Sequence, residues 1–270
     1  VSHRPERRAV VRLNGSSGPR FAKVLRPSRV RDVAESSRAA WSLAARPFAV
    51  PEVLHGDERQ GVLILGALGG TSLHDLLADG DSVVPAARNA GRATRWLHDA
   101  PLRPERVHDA EAEITLIEAR IDALETFAPD VHNRLGDAPA RVAGALREGA
   151  GRPGLVHRDL HDKQIVVQRD GTVGMLDLDT MAAGEPALDV ANMLVHFELR
   201  ALQGRCAQQL ASRAAAAFLE GYEPGADMAT RIDAYRNATR LRLACLYALR
   251  PPWRHLAPKL LERIKDSDEP

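Results

Sequence analysis

The sequence has little cysteine, little lysine, few aromatics and no long apolar run, and each scarcity removes a class of explanation. Only Cys206 and Cys245 occur in 270 residues, with no C-x-x-C and no Cys/His spacing suited to zinc, which excludes a disulfide framework and a structural zinc. The longest apolar run, residues 61–70, is far too short to span a bilayer. No charged-then-apolar leader opens the chain, so a cytoplasmic location is expected. A net charge of +1 and a pI of about 8.1 are too mild for nucleic acid or a membrane surface as the main partner. Glycines at Gly15, Gly18 and residues 66–70 are followed by no G-K-[ST], so a Walker loop is excluded. The absence of G-x-S-x-G and H-E-x-x-H weakens hydrolase and zinc-protease readings.

What is present is a globular composition, 44% hydrophobic and 27% charged, in a chain long enough for one large domain or two lobes around a cleft. Residues 9–13 and 21–25 alternate as short strands, and 28–46 follow with helical periodicity. Strands are expected again at 50–54 and 61–66. Residues 72–79, 83–99, 108–128 and 137–149 suit helices. A strand pair at 164–168 and 172–177 is joined at Asp170-Gly171, a strong hairpin signal, and from Leu188 onward the pattern is helical. Arginine has displaced lysine almost throughout: the only lysines are Lys23, Lys163, Lys259 and Lys265, so the position of each is informative.

Polar residues are densest from His157 to Gln164, in the order His-Arg-Asp-Leu-His-Asp-Lys-Gln, just before the hairpin. The hairpin runs out into Asp177 and Asp179. A two-residue Asp170-Gly171 loop predicts that Gln168 faces Val173 and that Gln164 faces Asp177, with Cβ atoms about 4.5–5.5 Å apart. Asp159 leads into the same open end. An amide oxygen and two carboxylates placed together suit a hard cation such as Mg²⁺.

H-R-D-L-x-x-x-Q followed by L-D-x-D resembles the catalytic loop and metal aspartate of the protein-kinase-like fold. The more specific resemblance is to the aminoglycoside phosphotransferase and small-molecule kinase family. Its G-x-P-x-x-D-x-A element is similar to the run from Gly184 to Ala191, and the resemblance covers most of the chain. It implies an α+β, two-lobed fold, with a strand-rich N-lobe at 1–68 and a helical C-lobe at 69–270. It implies ATP and Mg²⁺ as cofactors, and a small-molecule hydroxyl acceptor: a sugar, amino-sugar or aminoglycoside. Asp159 becomes the catalytic carboxylate, and Asp177 the metal ligand with Gln164 and Asp179. Lys163 and His161 are expected near the transferred phosphate. His157 and Asp189 are expected to hold the loop. Lys23 resembles the nucleotide lysine, Glu35 its glutamate partner, and Leu65 and Ala67 the adenine-binding hinge.

The chain departs from the family pattern in three places. Gln164 stands where Asn is usual. No Gly-rich phosphate loop precedes Val10, so that loop lies upstream of Val1 or is replaced by Arg4, Arg7 and Arg8. The stretch between Asp177 and Gly184 is too short for a protein-kinase activation segment, which favours a small acceptor. The first two departures keep open an impaired, nucleotide-binding kinase-like protein. On residues 109–127, Glu111, Glu118, Asp122 and Glu125 share a helical face, read either as solvated or, with Glu198, as a receptor for a cationic amino-sugar.

Overall fold

The structure is a computed structural model that describes residues 2–4, 8–15, 18–43, 47–149 and 151–264. Arg7 and the acidic terminus therefore lie outside the described residues. In chain order the elements begin β1 (Ser2–Arg4), β2 (Arg8–Gly15), β3 (Gly18–Val24), α1 (Pro27–Ser42), β4 (Phe48–Ala49), β5 (Val53–Asp57), β6 (Val62–Gly66) and β7 (Thr71–Ser72). They continue with α2 (Leu73–Asp79), α3 (Val83–Asp99), β8 (Val107–His108), α4 (Ala110–Phe127), α5 (Pro129–His132) and α6 (Ala138–Arg147). Strands β9 (Gly154–Val156), β10 (Ile165–Val167), β11 (Val173–Met175) and β12 (Ala182–Gly184) follow, then α7 (Ala187–Leu202), α8 (Gln208–Tyr222), α9 (Met228–Ala248) and α10 (Leu256–Leu261).

The first half forms an antiparallel sheet of order β1-β2-β3-β6-β5, with Lys23 of β3 facing Val10 and Leu63. Helix α1 starts on Pro27, whose missing N–H is harmless there. It lays Val30, Val33, Ala34, Ser37 and Ala40 on one stripe. Val33 and Ala34 meet Leu63 and Leu65 in a small core of four buried residues.

The second half has a far larger core. Its centre is α7, buried from Ala187 to Arg200. Helices α3 and α8 touch backbone to backbone, because a Cβ on Gly91 would strike the Phe218 carbonyl and one on Gly221 the Arg88 carbonyl. Among the described residues no helix is long and apolar enough to cross a membrane.

The two halves are not divided cleanly at residue 68. β4 leaves the first half and pairs in parallel with β11, so the hairpin strands sit inside a sheet of order β4-β11-β10-β7. Phe48 packs edge-on against Trp96 of α3, with ring centroids 5.5 Å apart. Ala40 and Leu43, at the far end of α1, also belong to the large core. A third sheet, β8-β12-β9, brackets the loop from His157 to Gln164.

The hairpin register differs by one from the expectation. Ile165 faces Met175 and Val167 faces Val173, and Gln168 closes the ladder with Thr172 at 2.9 Å. The loop therefore holds three residues, Arg169, Asp170 and Gly171. Gly171 takes φ 84, the left-handed conformation that such a bulged turn requires. Gln164 consequently faces Leu176 and accepts its N–H at 2.8 Å.

Candidate active site

The loop from His157 to Gln164 connects β9 to β10 and is clamped at both ends. Asp189, fully buried on the first turn of α7, accepts the backbone N–H of His157 at 2.6 Å and of Arg158 at 2.8 Å. Its Oδ2 also lies 3.2 Å from His98 Nε2, and the other ring nitrogen of His98 pairs with the Tyr222 hydroxyl at 2.8 Å. Asn192, one turn further along α7, donates to the Arg158 carbonyl at 3.1 Å. These bonds hold Arg158 at φ 72, a conformation worth about 1–3 kcal/mol of strain for a residue with a Cβ. His157 donates from Nε2 to the Leu176 carbonyl at 2.8 Å, tying the loop to the strand end that carries Asp177.

At the far end Asp162 is fully buried and receives a bidentate grip from Arg200, at 2.7 and 2.8 Å. His74 of α2 adds a contact at 2.6 Å. Burial alone would raise this carboxyl's pKa, but the bonds from His161, His74 and Arg200 outweigh it and hold the group well below the usual carboxylate range. Burial, then the neighbouring His161, keeps His196 well below the usual imidazole value. Sequence reasoning missed Arg200 and His74, whose one readable signal is an arginine inside a helix that is otherwise buried.

Asp159 sits between the clamps. Its carboxylate is half-buried and makes no hydrogen bond to any described residue. Lys163 is exposed, and its ammonium is lowered by burial and then by Arg200. Among the described residues no hydrogen bond or ion pair joins its ammonium to Asp159 or Asp177.

Asp177 follows the hairpin in a left-handed conformation, φ 58, which turns its side chain out of the strand register. Lys23 Nζ donates to Asp177 at 2.8 Å and to Asp179 at 2.6 Å. The Gln164 amide donates to the second Asp177 oxygen at 3.3 Å, so these two side chains meet although the register is shifted. Burial pulls the Lys23 pKa down, but Asp177 and Asp179 reverse this and leave it raised. Asp179 is raised by burial and by Asp177, because one ammonium serves two carboxylates. The two carboxylates already draw an ammonium between them, and with the Gln164 amide turned to present its oxygen they make a donor set that fits a hard divalent ion. Arg106 donates to the Asp179 carbonyl at 3.0 Å.

Glu35 is not brought to Lys23. It lies exposed, off the buried stripe of α1, and Ser37 takes the inward place. Ser37, Lys23, Pro51, Leu65, Asp177, Leu178 and Asp179 enclose a cavity of about 10 Å³, room for little more than a water. Leu65 is buried within the sheet, opposite Phe21, and Ala67 is half-buried just beyond the end of β6. Cavities of about 360 and 840 Å³ lie elsewhere, the first walled by Arg95, Tyr222 and Arg231 and the second by Gly70, Asn89 and Gly171. Neither includes Asp159 or Asp177. The expected acidic face of α4 is solvated: Glu111 pairs with Arg147, and Glu118, Asp122 and Glu125 are exposed. Glu198 is buried against Arg240 at 2.9 Å.

Residues 5–263 match the profile of a family described as "APH: Phosphotransferase enzyme family". No curated protein matches the chain in sequence. Among solved structures it is similar to the aminoglycoside phosphotransferase APH(3'')-Id from Streptomyces rimosus in complex with ADP and streptomycin. Identity there is 22%, over 88% of this chain and 92% of that one, with a TM-score of 0.63. A thermostable mutant of aminoglycoside phosphotransferase APH(4)-Ia superposes with a TM-score of 0.74 at 14% identity, over 98% and 91% of the two chains. Amicoumacin kinase hAmiN in complex with AMP-PNP, Ca²⁺ and Ami gives a TM-score of 0.70 at 14% identity, over 98% and 87%. These likenesses establish the two-lobed, protein-kinase-like fold.

Proposed function

Because the chain belongs to the phosphotransferase enzyme family and is a small-molecule kinase, we propose that it moves the γ-phosphoryl group of ATP, with Mg²⁺, to a hydroxyl of a small acceptor. The observation that carries the reading is the meeting of Lys23, Gln164, Asp177 and Asp179 at a strand end to which His157 ties the doubly clamped loop that bears Asp159. The names of the similar structures, which record ADP or AMP-PNP with Ca²⁺, support a nucleotide and a divalent ion.

Asp177, with Asp179 and Gln164, would hold the metal, whose chemistry there is to neutralise triphosphate charge. Lys23 exchanges its two carboxylates for phosphate oxygens, which opens the narrow cavity it now closes. The Leu65 carbonyl and the Ala67 amide are the adenine-facing groups. Asp159 orients the acceptor hydroxyl and takes its proton as the new O–P bond forms. The β–γ bridging O–P bond breaks and ADP leaves. The clamps fix Asp159 before substrate arrives, so catalysis rests on positioning and charge placement.

The test combines calorimetry with an ADP-release assay across sugars, amino-sugars and aminoglycosides. Asp159→Asn should keep nucleotide affinity and lose about 10²-fold or more in turnover. Asp177→Ala should lose the Mg²⁺-dependent part of nucleotide affinity. Near wild-type turnover in the first variant, or unchanged affinity in the second, would overturn the assignment. Binding of Mg-ATP with no turnover of any acceptor would favour an impaired kinase.

A further inference from the structure

Four arginines gather around the catalytic loop with too little negative charge to match them. Arg158 stands between His157 and Asp159. Its guanidinium is half-buried, pairs with no described residue, and has its Nε sealed from solvent without a partner. Arg120, on α4, is in the same condition. Arg242, on α9, donates to Asn192 at 2.6 Å, and Asn192 in turn holds the Arg158 carbonyl. Arg106 binds the Asp179 carbonyl. The carboxylate set directly among them is Glu113, which is buried, bonded to His108 at 2.8 Å and 3.1 Å from Arg242.

The groups sense one another. Burial and then Arg242 lower the Arg120 pKa. For Arg158 burial lowers it most, Glu113 and Asp189 oppose this, and Arg106 and Arg242 add to the lowering. Desolvating guanidinium groups without counter-charge is unfavourable, and a bound anion would relieve it. The planar fork of arginine suits the two oxygens of a carboxylate or phosphate. A polycation would meet repulsion here, and two of the acidic residues expected to receive one, Glu111 and Glu198, hold arginines of their own.

We propose that the acceptor carries, besides its reacting hydroxyl, an anionic group, a carboxylate or a phosphate, gripped by Arg120, Arg158 and Arg242. As a statement about the acceptor, this rests on the phosphotransferase reading; the anion site itself does not. The substrate class is then a hydroxylated acid or a phosphorylated sugar and not a polyamine antibiotic.

Inorganic phosphate is the probe, titrated by calorimetry and thermal shift into wild type, Arg120→Gln, Arg158→Gln and Lys23→Met, with far-UV circular dichroism confirming that each is folded. Phosphate should bind wild type and Lys23→Met saturably and weaken about tenfold or more in both arginine variants. The Lys23→Met arm separates this site from the nucleotide site. In the ADP-release assay, glucuronate and glucose 6-phosphate should outpace glucose and glucosamine, and the faster of the two identifies the anion. Equal phosphate affinity in wild type and both arginine variants, or faster turnover of glucosamine than of either acid, overturns the proposal. Arginine-dependent phosphate binding in a protein that neither binds Mg-ATP nor releases ADP would uphold the anion site and remove the kinase reading instead.

Discussion

Removing the Asp189 carboxylate should loosen the catalytic loop and cost a measurable share of global stability. Asp189→Ala strands the backbone donors of His157 and Arg158, and leaves His98 Nε2 without its partner. Each buried donor left unmade costs about 1–3 kcal/mol, and breaking a buried charged contact as a whole costs about 3–5 kcal/mol. At about 2–4 °C per kcal/mol for a chain of this size, the midpoint of thermal unfolding should fall by about 6–20 °C. The strain at Arg158 would then relax in part, because two of the bonds that hold φ 72 are gone and only Asn192 still grips its carbonyl. Asp159, the next residue, would move with it, so turnover should fall even at temperatures where the variant is folded. Asp189→Asn keeps one acceptor and should lose less.

The pH dependence has a definite sign. Burial would raise the Asp189 pKa, but the bonds from His98 and the nearby His157 reverse this and hold it below its ordinary value. A depressed folded-state pKa adds stability above the unfolded value, about 3.9 for aspartate, and loses it as pH falls through the folded value. The gap between wild type and Asp189→Asn should therefore be widest above about pH 5 and shrink in acid. Thermal unfolding followed by circular dichroism across pH, beside ADP release, makes the measurement. A midpoint for Asp189→Ala within about 2 °C of wild type would refute the clamp.

Two other substitutions probe the packing that supports the site. Gly221→Ala drives a methyl into the Arg88 carbonyl and should destabilise by about 1–3 kcal/mol or more, read as a lowered urea midpoint, with Gly91→Ala behaving alike. Arg231 binds Glu185 through two nitrogens and also caps the carbonyls of Ala145, Leu146 and Glu148. Arg231→Ala should cost about 3–5 kcal/mol by stranding a buried carboxylate, and Glu185→Gln in that background should recover part of the loss in thermal melts.

Much of the fold could be read from apolar periodicity, which placed α1, α3 and the hairpin within a few residues of where they lie. The hairpin register could not, because Asp-Gly serves two-residue and three-residue loops alike, and only the ladder bond of Gln168 decides between them. Gln164 and Asp177 still meet, because Asp177 leaves the strand in a left-handed turn. Glu35 failed for a different reason: the expectation followed the resemblance of its helix to the family's, whereas the phase of the helix stripe puts Ser37 inward. The arginine cluster was not visible at all. Its members come from the stretch before β8, from α4, from the catalytic loop and from α9, and only tertiary packing joins them. In a chain so rich in arginine, no single one of these residues stands out.

Among the described residues the first half keeps Val33, Ala34, Leu63 and Leu65 as a private buried cluster, while Phe48, Val50 and the end of α1 are lodged in the other half. It is therefore no portable cartridge. A chimera cut at residue 68 would carry away a strand that the recipient's hairpin must accept in the same pairing. Exchange between relatives at that seam succeeds only where the β4–β11 pairing and the Phe48–Trp96 contact travel together.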